Sequence, residues 1–190
     1  MIWLILGLVL FLGAHSVSIF ALDWRNRQFA ARGEAAWKGT YTVVSLIGFA
    51  LIVYGYGVAR QMPVVLYSPP TFLSHITLLL MLPVFVLLFA TYLPGRIKTA
   101  TKHPMLLATK LWAFSHLLAN GTLGAVLLFG AFLAWAVMDR ISMKRRPGPQ
   151  KVLGVARPMN DLIALGLGLA TYVVFLLWAH LWLIGVSPIR

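Results

Sequence analysis

Apolar residues gather into six stretches, over 2–22, 40–59, 71–93, 104–119, 122–138 and 162–186, with short polar segments between them. A helix needs about 20 mostly apolar residues to cross ~30 Å of hydrocarbon, and most of these stretches come near that length. The pattern predicts an all-α protein, a polytopic transmembrane helical bundle of about six spans. The spans take up most of residues 1–190, so the chain is read as a single domain with the lipid bilayer as its main partner. The first stretch lacks a basic leading region and is longer than the apolar core of a signal peptide. Asp23-Trp24-Arg25 follows it in place of a small-residue cleavage site, so it is read as a retained helix.

Charge then orients the bundle. Of 16 Lys and Arg residues, 13 fall in three gaps: four over 25–38, three over 96–102 and six over 140–157. Basic residues near span ends mark the cytoplasmic side, which places both termini in the periplasm. An even number of spans requires both termini on one side, so count and charge agree. A net charge of +12 is therefore a topology signal, and no nucleic-acid partner is expected. The longest loop, 139–161, carries the Lys144-Arg145-Arg146-Pro147-Gly148-Pro149 run, suited to anionic headgroups. Cysteine is absent, which excludes disulfides, thiolate metal sites and cysteine nucleophiles.

Finer signals concern packing. Asn120-Gly121 predicts a tight external turn that folds spans four and five into an antiparallel hairpin. Gly166 and Ala170, four apart, suit close helix approach in the last span, and Pro83 is expected to kink the third. Thr101 is a candidate cap for the fourth span, which His103-Pro104 opens.

The candidate chemistry lies in the histidines. His15, His75, His103, His116 and His180 all fall in or at the edge of a span. Intramembrane ionisable groups face the bundle interior and pair with something. The four acids, Asp23, Glu34, Asp139 and Asp161, lie in loops or at span ends, so a directly held zinc or iron would lack its usual carboxylate. Neutral imidazole is the ordinary axial ligand of haem iron, which makes haem b the expected cofactor. Thr109, Trp112, Ala113, His116 and Asn120 recur at three- and four-residue steps and share one face of the fourth span. That face suits a pocket wall or a tight interface. Lys110, on the His103 face, either snorkels to the cytoplasmic surface or pairs with a haem propionate. At ~1.5 Å per residue, His75, His116 and His180 lie within ~10 Å of the external surface, while His15 lies deeper. Depth alone favours pairing His116 with His180 or His75.

The stretches Thr101-Lys102-His103-Pro104-Met105-Leu106-Leu107 and Leu111-Trp112-Ala113-Phe114-Ser115-His116-Leu117-Leu118-Ala119-Asn120-Gly121 resemble the signature of the NnrU family. Phe11-Leu12-Gly13-Ala14-His15-Ser16 and Ile184-Gly185-Val186-Ser187-Pro188 are similar to that family's opening and closing segments. The resemblance implies a bacterial inner-membrane protein associated with denitrification, as an accessory or an oxidoreductase. It also brings in a plant relative, the 15-cis-zeta-carotene isomerase, a haem b protein whose ligand pattern falls here on His15 and His116. Where that isomerase has a cysteine, three residues before the second histidine, this chain has Ala113. Three functional expectations follow. They are a haem b redox or accessory protein, an isomerase of a hydrophobic polyene held in the bundle, and a cofactor-free transporter or assembly factor.

Overall fold

The structure, a computed structural model, describes residues 1–145 and 155–189. The proline-glycine part of the basic run, Arg146 to Pro149, and Lys151 lie outside the described residues. The elements are α1 (Ile2–Phe20), α2 (Leu22–Ala59), α3 (Phe72–Tyr92), α4 (Arg96–Thr101), α5 (Pro104–Ala119), α6 (Leu123–Arg145) and α7 (Pro158–Val174). A π-helical turn, Phe175–Ala179, leads from α7 into α8 (His180–Ile184). Among the described residues, five helical segments are long and apolar enough to cross a membrane: α1, α2, α3, α6 and the continuous run Pro158–Ile184. Large apolar side chains such as Leu79, Leu177 and Trp182 stand exposed along these helices. An exterior of that kind suits lipid contact. Helix α5, at 16 residues, is shorter than the other apolar helices.

The helices fall into two compact units. The first holds α1, α2 and α6. Here α1 and α2 run antiparallel with their backbones in contact, because glycines line the seam. A methyl group on Gly7 would lie 2.5 Å from the Ile52 nitrogen, one on Gly48 2.7 Å from the Phe11 nitrogen, and one on Gly55 would clash with Leu4. Small residues at such a seam take the place of a hydrophobic driving force that lipid does not supply. Helix α6 runs parallel to α1: the Phe11 ring meets Phe132 at 5.7 Å and the His15 ring meets Trp135 at 5.9 Å.

The basic segment expected as a loop after the first span is helical instead. It forms the start of α2, which turns at Gly33 with φ +79° and ψ 164°. Only glycine takes that conformation readily. Trp24 and Trp37 close over the bend edge to face at 5.8 Å, and Lys38 pairs with Glu34.

The second unit holds α3, α4, α5, α7, the π turn and α8. Helix α3 is central and runs unbroken through Pro83. It packs against α5 around Val84, Leu87 and Ala108, and the Thr77 hydroxyl donates to the Ser115 carbonyl at 2.8 Å. On its other side it meets α7, where Gly168 lies against Val86 and the Tyr172 hydroxyl donates to the Leu78 carbonyl at 3.0 Å. Both partners therefore run antiparallel to α3. The small-residue seam of α7 is Ala164 and Gly168; Gly166, the expected packing residue, has no neighbouring atom within 4 Å of where a side chain would begin.

One other expectation changes. Thr101 does not cap α5; its hydroxyl donates back to the Ile97 carbonyl at 2.8 Å and so closes α4. At the expected Asn120-Gly121 turn, α5 ends at Ala119 and α6 begins at Leu123. Gly121 accepts from the Leu66 and Tyr67 amides at 2.8 and 3.1 Å, beside a bridge between Val65 and Thr122. A side chain at Gly121 would clash with the Tyr67 carbonyl, which is why glycine stands there.

Candidate functional site

His15 lies in the first unit, five residues before the end of α1. Its Nδ1 is 2.7 Å from the Phe11 carbonyl oxygen. A carbonyl only accepts, so Nδ1 carries the proton and donates, and the lone pair is left on Nε2. Three aromatic rings hold the imidazole: Phe11 stacked at 4.2 Å, Tyr41 tilted at 5.1 Å and Trp135 edge-on at 5.9 Å. The α1/α2 glycine seam and the parallel register of α6 bring these rings together.

His116 repeats the arrangement in the second unit. Its Nδ1 donates to the Trp112 carbonyl at 2.8 Å, and the Trp112 ring lies 5.6 Å away. In both places the aromatic residue sits four positions before the histidine. An imidazole whose Nδ1–H is held by a carbonyl has its ring orientation and tautomer fixed, which is the usual support of a metal-ligating histidine. The sequence carried this signal as Phe11/His15 and Trp112/His116, each one helical turn apart.

The other residues of the α5 face separate by role. Ala113 is fully buried and Trp112 packs against the core with α3. The Thr109 hydroxyl returns to the Met105 carbonyl at 3.0 Å, and the Asn120 carbonyl accepts from the Tyr67 hydroxyl at 3.0 Å within the first unit. Ser115 was not foreseen: it is the one fully buried polar side chain on α5, bonded to the Trp112 carbonyl at 3.0 Å. Lys110 is partly buried, with no acid against it among the described residues.

The remaining histidines differ. His180 follows the π turn, a helical irregularity that concentrates at functional sites. The chain then reverses at Gly185 with φ +75°, so that the Val186 carbonyl accepts from His180 Nδ1 at 2.7 Å. His180 lies in the same unit as His116. His75 is exposed in the first turn of α3. His103 stands between α4 and α5, after Lys102, which turns the chain with φ +61° so that the His103 amide reaches the Thr101 carbonyl at 2.7 Å. Among the described residues no three His, Asp or Glu side chains gather as a metal cluster. One or two imidazoles suffice for haem iron.

The fold and site define a class: an all-helical membrane protein whose interior imidazoles are held by their own helices. Residues 3–188 match the family model described as NnrU protein, and the chain belongs to that family. No curated protein and no solved structure matches it.

Proposed function

We propose that this chain is a six-crossing protein of the bacterial inner membrane that binds haem b and serves nitrogen-oxide metabolism as a redox or accessory protein. The observation that carries the reading is the shared support of His15 and His116, each with Nδ1 bonded to the carbonyl four residues earlier. With Nδ1 engaged in this way, Nε2 is the nitrogen that would ligate iron. Haem b, when bound, supplies a one-electron couple. The residues that would hold it are His15 and His116 as iron ligands, with Trp112, Ala113 and Asn120 along the α5 face and Lys110 as a cation for a carboxylate. Ala113 offers no thiolate for ligand exchange, which separates this chain from the isomerase reading.

Helix direction supports six crossings. Without α5 as a crossing, α6 would run opposite to α1, and α7 would run alongside α3. Within the units the reverse holds: α6 is parallel to α1, and α7 is antiparallel to α3. These directions support α5 as a crossing that returns the chain across the bilayer despite its length, with the termini on one side. The basic gaps make that side the periplasm.

Alanine substitution at each histidine tests the ligand set by haem content of the purified protein. His116→Ala and His15→Ala are expected to lose most of the haem, and His180→Ala, His75→Ala and His103→Ala to keep most of it. Full haem content in His116→Ala would overturn the assignment. Loss in His180→Ala with retention in His15→Ala would move the second ligand to His180.

A further inference from the structure

Two buried donors on α6, in the first unit, are unaccounted for by the packing. The Trp135 indole N–H and the Arg140 Nη1 are both buried, and neither finds a hydrogen-bond partner among the described residues. A buried donor left unsatisfied costs about 1–3 kcal/mol, and more when charged, so natural proteins keep few of them. Both lie on α6, and Trp135 is the residue that meets the His15 ring. Five residues separate them, or ~7.5 Å along the helix axis. Arg140 follows one turn after Ala136, which is fully buried, so it continues the packed stripe of α6. A cation that only marked topology would place its whole head in water. Arg140 does not.

His15 thus offers a lone pair on Nε2, and two unmet donors stand beside it and further along α6. That combination suits a molecule with an electrophilic centre and an anionic, acceptor-bearing rim. We infer that Arg140 binds a carboxylate of the haem whose iron His15 ligates, with the Trp135 indole as a second donor to the same ligand. The inference rests on the haem reading above and adds the residue that anchors the carboxylate. Arginine's planar fork suits a carboxylate better than lysine's point charge. It shifts that role from Lys110 to a residue that charge counting had assigned to topology alone.

The test is a cycle of two proteins and two ligands. Full-length wild type and Arg140→Gln, each stripped of pigment, are reconstituted with haem b or with its dimethyl ester, which lacks the carboxylate charges. Wild type is expected to bind haem b about tenfold more tightly than the ester, the loss typical of one charge-assisted hydrogen bond. Arg140→Gln should bind the two alike, and Trp135→Phe should lose a smaller part of the discrimination. Thermal unfolding of each stripped protein separates loss of the anchor from loss of the fold. If Arg140→Gln discriminates as wild type does, the inference fails while the haem reading stands. The same holds if Lys110→Gln alone abolishes discrimination, or if Arg140→Gln loses only copurified phospholipid. If wild type binds neither ligand, the haem reading fails first.

Discussion

At the scale of single residues, glycine and alanine do the work that large apolar side chains do in water-soluble cores. The α1/α2 seam shows how local this is. Gly55 and Gly57 are two residues apart on one helix, yet a side chain at Gly55 would clash with Leu4, whereas one at Gly57 would meet nothing within 4 Å. Gly55→Ala is therefore expected to destabilise the protein by about 1–3 kcal/mol through forced separation of the helices. Gly57→Ala should be neutral or stabilise by up to about 1 kcal/mol, since alanine is the better helix former. Thermal unfolding in detergent compares the two directly; equal effects would show that the seam is looser than described. Sequence alone does not separate these glycines, because contact with α1 decides the matter. The same limit explains Gly166 and Gly168. Both suit close approach, and only the rotation of α7 against α3 selects the second.

At the scale of elements, short polar contacts fix how the helices of the second unit begin and end. Helix α4 starts at Gly95, and the Asp161 carboxylate from the start of α7 accepts from its Arg96 and Ile97 amides at 2.8 and 3.0 Å. An aspartate from elsewhere in the chain thus does what an N-cap residue does locally, satisfying orphan donors and opposing the positive end of the helix. Asn160 reinforces the joint through its side-chain amide, which donates to the Pro94 carbonyl at 2.7 Å. Asp161→Ala should cost about 1–2 kcal/mol, and amide hydrogen exchange over residues 96–101 should accelerate well beyond that of α3. Unchanged exchange there would mean that the cap is incidental.

Elements of this kind were only partly legible. The apolar runs gave α1, α3 and α5 to within a few residues, because length and hydropathy dictate them, while α6 continues seven residues past the expected end, into the charged segment. The helical start of α2 was missed because its residues 25–38 are charged, and charge was read as loop. Thr101 was assigned to the wrong helix because a threonine can bond forward as a cap or back to the preceding turn. For the site, all five histidines are visible in the sequence, and His15 and His116 each follow an aromatic residue by four positions. Arg140 was hidden, because a basic residue near a span end looks like a topology signal until its burial is known.

At the scale of the whole molecule, topology and cofactor are the two claims to test. Reporter fusions in the segments around Arg32, Lys98 and Arg145 are expected to report the cytoplasm, and fusions at both termini the periplasm. A periplasmic signal at Arg145 would break both the charge argument and the count of six crossings. The cofactor is tested most directly by the visible absorption spectrum of the purified protein, oxidised and then reduced. A Soret band with sharp α and β bands on reduction, lost in His116→Ala and His15→Ala, is the result the haem reading predicts. A wild-type protein that purifies folded but without a Soret band, and gains none when supplied with haem, would contradict it.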